Sequence, residues 1–138
     1  MVPRFQVIHF NEYNGELKDK IEGQRVVLLM DEHDTERGSL VWRLASGHTV
    51  EITEFGIHTG EDHRQGWGTL LLNESLKDMH RFFENNPNYP KPLRRIFLFT
   101  EASNTGARAF YRARGFYEEV VLKDFYDDGD AVMCIMNV

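Results

Sequence analysis

Residues 49–101 restrict the fold of this chain more than any other stretch. TVEITEFGIHT (49–59) reads as a strand, GEDHRQG (60–66) as a loop and WGTLLLNESLKDMHRFFEN (67–85) as a long helix. NNPNYPKP (85–92) is a proline-bearing loop, and LRRIFLFTE (93–101) is a second strand. In the helix, apolar residues at 70, 71, 72, 76, 79, 82 and 83 share one face, so Asn73, Glu74, Lys77, Asp78 and Arg81 are expected to turn outward. A strand–helix–strand unit of this kind closes as a right-handed crossover, which makes its two strands parallel.

Upstream, FQVIHF (5–10) reads as a strand, and 12–23 as a short, polar, weakly helical connection closed by Gly23. Two further strands, 24–32 and 39–45, flank a turn at 33–38. Ser46-Gly47-His48 then forms the corner of an antiparallel hairpin with 49–59. Downstream, 104–115 reads as a helix ended by Gly115, and 116–125 and 131–138 as strands joined by YDDGD. The expected fold is mixed α/β. A length of 138 residues suits one domain, 1–138, without repeats or linkers.

Composition bounds the function. The net charge of −6 disfavours nucleic acid and anionic membranes as partners and mildly favours cationic ones. No apolar run approaches a membrane span. The start, MVPRFQVIHFNEYNG, shows no basic region followed by an apolar one, so no secretory signal is expected. The single cysteine, Cys134, lies in AVMCIMNV; this excludes a disulfide framework, fits a cytoplasmic location and reads as a buried strand residue. Six histidines show no metal-ligand spacing, so no metal is expected. Asp127-Asp128-Gly129-Asp130 reads as a solvated turn, or as an acidic rim for a cationic acceptor.

HRQGWGTLLL (63–72) places Gly66 and Gly68 at the start of the long helix, where each weakens it by roughly 1 kcal/mol relative to alanine. Helix N-termini expose unpaired N–H groups and the positive end of the dipole, and glycines let a phosphate oxygen approach them. The stretch is neither a P-loop nor a dinucleotide fingerprint, because the Lys-Ser/Thr and the third glycine are missing. Taken alone, a structural turn fits it as well as a phosphate cradle.

A second stretch, NTGARAFYRARGF (104–116), changes the balance. Together the two resemble the GNAT superfamily of acetyl-CoA-dependent N-acetyltransferases. That pattern has an Arg/Gln-x-x-Gly-x-Gly/Ala loop entering a helix. A strand follows, then a helix with Asn-x-x-Ala-x-x-Phe/Leu-Tyr-x-x-x-Gly-Phe. The motif-bearing resemblance spans about residues 51–138. It implies a mostly antiparallel sheet whose central parallel pair splays to admit CoA, with helices on both faces. It implies acetyl-CoA as acyl donor. His63, Arg64, Gln65, Gly66, Trp67, Gly68 and Thr69 would hold the pyrophosphate, although Trp67 also reads as a packing residue. The backbone of Phe55, Gly56 and Ile57 would pair with the pantetheine arm. Asn104 would contact the arm or the reacting centre, as well as capping its helix. Tyr111 would protonate the leaving thiolate, and Arg108 would help at the phosphates. Two departures stand out. His63 occupies the usual Arg/Gln position, leaving Arg64 as an alternative contact, and Thr59 replaces a usual proline.

An amine attacks a thioester only when neutral, so a base is needed, often acting through water. The candidates are Glu51, Glu54 and His58. Strand alternation puts the two glutamates on opposite faces. Some family members carry a glutamate six residues before the strand's last apolar position, which favours Glu51, six before Ile57. The ending DFYDDGDAVMCIM resembles that of members acting on protein N-termini and marks Tyr126 as an acceptor-side residue. The acceptor class stays open between a small cationic amine and a peptide or protein amine. A non-catalytic acyl-CoA-binding subunit is the alternative function, and a homodimer is expected by analogy alone.

Overall fold

The structure, a computed structural model, describes residues 3–8, 24–58, 66–88 and 91–138. Seven strands form one sheet: β1 (Arg4–Ile8), β2 (Gln24–Met30), β3 (Glu36–Ser46), β4 (Thr49–Ile57), β5 (Arg95–Glu101), β6 (Tyr117–Tyr126) and β7 (Gly129–Asn137). Their order is β1-β2-β3-β4-β5-β7-β6. Every neighbouring pair is antiparallel except β4–β5. Helix α1 (Trp67–Asn85) joins β4 to β5, and α2 (Thr105–Ala113) joins β5 to β6. The connection at 12–23, expected as a helix, lies outside the described residues.

The two described helices cover one face of the sheet. Leu71, Leu72, Met79 and Phe83 of α1 and Tyr111 of α2 share a core with Trp42, Val50, Ile96, Leu98 and Cys134. Burying that many large apolar side chains is the main stabilising term, at roughly 1.5–3 kcal/mol each. β2 is buried on both sides. Val27 and Leu29 face the helices, while Val26 and Leu28 pack with Val41 in a separate cluster.

Asp78 corrects the sequence expectation. It does not turn outward but is 2% exposed. Its carboxylate accepts from Arg25 Nε at 3.1 Å, Arg25 Nη2 at 2.8 Å and Trp42 Nε1 at 3.0 Å. The carboxylate therefore pins the middle of α1 to β2 and β3.

A second correction concerns β4. Val41 pairs with Glu54 but Trp42 pairs with Ile52, so Thr53 is an extra residue, a β-bulge. The bulge shifts the phase of alternation. Val50 and Ile52 before it, and Phe55 and Ile57 after it, all reach the helix-side core. Glu51 and Glu54 consequently share the opposite face rather than lying on different ones.

Beyond the bulge the sheet opens. β4 pairs with β5 only at Thr49–Arg95, Val50–Ile96 and Glu51–Phe97, although β4 continues to Ile57 and β5 to Glu101. β5 spends its other edge on seven consecutive pairs with β7. From Ile52 onward, the β5-side edge of β4 has no strand partner among the described residues.

Candidate active site

Two cavities meet at this opening. The larger, about 610 Å³, lies on the helix side between β4 and the starts of both helices. The smaller, about 380 Å³, passes between the parted strands and includes Glu54, Phe99 and Thr100. Phe55, Asn104, Ala107 and Tyr111 line both.

The larger cavity ends on the start of α1. Gly66, the N-cap, has φ 72°, a left-handed conformation that glycine adopts without a steric penalty. No side chain caps the helix, and its first turn holds no acidic residue. At Gly68 a Cβ would lie 3.4 Å from the Phe110 ring, so the helix start approaches α2 closely. Thr69 and Gly106 complete this end of the lining. A cradle of uncapped amides with little side-chain cover is chemically suited to an anion such as a pyrophosphate.

Arg114 was not singled out from the sequence, yet it lines this cavity. Its Nε and Nη2 donate to Thr69 Oγ1 at 3.0 and 2.6 Å, and its guanidinium stands 4.2 Å over the Phe110 ring. No carboxylate among the described residues pairs with it in an ion pair. A basic residue just before a helix-ending glycine ordinarily reads as a complement to the dipole, which hides such a role.

Tyr111 stands where the cavities join. It is 8% exposed and packed against Phe55, Phe110 and Phe116. Burial first, and the neighbouring Cys134 second, push its hydroxyl up to about 12. It therefore holds its proton throughout the neutral range. Asn104 caps α2, with Oδ1 accepting from Ala107 N at 3.0 Å. Phe55, Gly56 and Ile57 present the open edge of β4 to the larger cavity.

Other expected residues lie elsewhere. Glu51 sits opposite Arg43, whose Nη2 is 2.7 Å from its carboxylate, and it lines neither cavity. Glu54 lines the smaller one. His58 Nδ1 lies 3.6 Å from Glu36. Arg108 does not line the larger cavity; it grips Glu118 with Nε and Nη2, and its Nη1 donates to Ala102 O at 2.8 Å. Those hydrogen bonds, with help from Arg112, hold the Glu118 carboxyl below its usual range. Arg108 thus ties the turn before α2 to β6. Trp67 packs against the core. Tyr126 ends β6 beside Phe125, and its hydroxyl is raised by burial and then by the charge of Glu101. His63, Arg64 and Gln65 lie outside the described residues. Among the described residues no cluster of His, Cys, Asp and Glu is arranged to hold a metal, and no helix is long and apolar enough to cross a membrane.

A search of curated proteins finds no significant match. Solved structures do match. A GNAT family acetyltransferase from Elizabethkingia anophelis with acetyl-CoA bound is 17% identical, with a TM-score of 0.79 over 99% of this chain and 98% of that one. The ribosomal-protein-S18-alanine N-acetyltransferase from Escherichia coli is 14% identical, with a TM-score of 0.75 over 99% and 94%. The spermidine/spermine N-acetyltransferase SpeG from Vibrio cholerae, in mutant form, is 16% identical, with a TM-score of 0.72 over 99% and 95%. These likenesses establish the shared fold. The model of the acetyltransferase (GNAT) family matches residues 21–116, well over half the chain. With the splayed sheet and the glycine-bearing helix start, that match makes the chain a member of the GNAT acetyltransferase family.

Proposed function

We propose that this protein transfers the acetyl group of acetyl-CoA to a primary amine, with Glu54 as base and Tyr111 as donor to the leaving sulfur. The observation that carries the reading is Tyr111 at the junction of two cavities, one ending on the uncapped start of α1 and the other holding Glu54. The first suits the phosphates and arm of CoA; the second suits an incoming amine. Acetyl-CoA in the Elizabethkingia structure supports the donor, and the S18-alanine and spermidine enzymes support nitrogen as acceptor.

In this reading the amides of Trp67, Gly68 and Thr69 and the guanidinium of Arg114 hold the phosphates, and the open edge of β4 pairs with the pantetheine amides. Glu54, directly or through water, accepts the proton that the amine sheds as its N–C bond forms. The C–S bond breaks, and the Tyr111 hydroxyl donates a hydrogen bond to the departing sulfur. A phenol near 12 does not surrender its proton fully to a thiolate whose conjugate thiol lies near ~8.5, so solvent completes the protonation.

Two measurements test this. Glu54→Gln is expected to lower kcat by about 100-fold while acetyl-CoA binding is kept. Glu51→Gln is expected to change kcat less than about threefold, because Glu51 already serves Arg43. The reverse pattern would transfer the base role to Glu51. In a melting experiment, acetyl-CoA at about 100 times its Kd is expected to stabilise the protein by roughly 2.7 kcal/mol. Arg114→Met is expected to weaken that binding about tenfold with kcat unchanged, the loss typical of a hydrogen bond to a charged group. No shift with folded wild type would remove the anion-cradle reading.

A further inference from the structure

A row of aromatic rings leads out of the smaller cavity on the sheet face away from the helices. Phe97 and Phe99 project there because Ile96, Leu98 and Thr100 alternate with them and are buried. Phe99 lines the cavity beside Glu54. Phe125 stacks on Phe99, with centroids 5.3 Å apart and planes inclined at 22°. Phe97 meets Phe99 edge-on, and Tyr126 meets Phe125 edge-on at 5.0 Å. Phe125 is 50% exposed. A lone exposed apolar residue is ordinary, but contiguous rings continuing a cavity outward mark a surface that receives something.

The backbone is shaped to hold Phe125 there. Leu122 pairs with Ala131 and Tyr126 with Gly129, so β6 carries two more residues than β7 across this interval. Asp124 adopts φ 54°, an unfavourable conformation for a residue other than glycine, and its N–H is held by the Asp130 carboxylate at 2.9 Å. The bulge interrupts the regular ladder one residue before Phe125. Carboxylates gather near the rings: Glu54 in the cavity, Glu101 near Tyr126, and Asp124, Asp127, Asp128 and Asp130 along the turn, with Lys123 beside Asp124 in the chain.

Rings for an apolar body and carboxylates for a cationic end define one ligand chemistry. Resting on the acetyl-transfer reading above, we infer that the acceptor is an arylalkylamine, whose ring lies on Phe99 and Phe125 while its amine reaches Glu54. A polyamine would use the carboxylates and leave the rings idle. A small peptide would bring backbone groups, for which the ring row offers few partners.

The test is calorimetric binding to protein saturated with CoA, so that no turnover occurs. The probes are 2-phenylethylamine, propylamine, spermidine and an alanine-led tripeptide. 2-Phenylethylamine is expected to bind at least about tenfold tighter than each of the others. Phe125→Ala is expected to abolish that preference, and Phe125→Leu to keep part of it, both with melting temperatures near wild type. Equal affinities, tighter binding of spermidine or of the tripeptide, or a preference that survives Phe125→Ala would overturn the inference. Thiol release from acetyl-CoA separates the two readings. Ring preference without transfer sinks the transfer reading and leaves only an arylalkylamine-binding site, whereas transfer without ring preference sinks this inference alone.

Discussion

Tyr111→Phe is expected to lower kcat by about 10²–10³-fold while acetyl-CoA affinity stays within about twofold of wild type. The magnitude is that of removing one donor aimed at charge that develops only in the transition state. The substitution removes a single oxygen from a ring held by Phe55, Phe110 and Phe116, so the packing that shapes the cavity junction persists. Because the hydroxyl titrates at about 12, the wild-type enzyme is expected to show no loss of kcat from Tyr111 ionisation between pH 7 and about pH 10. Steady-state kinetics across that range, paired with calorimetric acetyl-CoA binding, measure both quantities. An unchanged kcat would reduce Tyr111 to a core residue, whereas acetyl-CoA binding without any wild-type turnover would favour a non-catalytic acyl-CoA-binding protein of the same fold.

How much of this was legible in the sequence depends on the range over which each feature is decided. Helix α1 was readable to both ends, because a 19-residue amphipathic period and a glycine at its N-cap are local signals. The parallel pairing of β4 and β5 followed from the same logic, since a long helix between two strands closes as a crossover. The faces of Glu51 and Glu54 were not readable. They depend on Thr53 slipping out of register with β3, and register is a property of two strands together. Arg108 and Arg114 illustrate the same limit from the side-chain end. Both are arginines around one nine-residue helix, α2, yet one is spent on Glu118 and the other faces the cavity. Nothing in ARAFYRARG separates them until β6 and the start of α1 are in place. The aromatic row joins Phe99 to Phe125 through a bulge in β6, which strand periodicity does not reveal.

Asp78→Ala is expected to destabilise the fold by about 3–5 kcal/mol, a fall of about 10–20 °C in melting temperature. An aspartate on a helix otherwise rich in exposed polar residues invites the guess that it is solvated, and its substitution harmless. Here its carboxylate engages two nitrogens of Arg25 and the indole N–H of Trp42, and Trp42 itself is fully buried. Truncation removes the carboxylate from a largely buried guanidinium that lies 5.8 Å from the Trp42 ring and 5.6 Å from the Phe82 ring. It also deprives a buried indole of its acceptor, and an unmet buried donor alone costs about 1–3 kcal/mol. The double variant Arg25→Met/Asp78→Leu is expected to recover part of the loss, because replacing both charges by apolar groups of similar volume removes the desolvation cost along with the attraction, while the Trp42 indole stays without its acceptor. Chemical denaturation of the two variants and of wild type measures the difference. A single variant within about 1 kcal/mol of wild type would mean that water reaches Arg25 once Asp78 is gone. In that case the helix-side core, rather than this pair, would be what fixes α1 on the sheet and keeps its N-terminus aimed at the cavity.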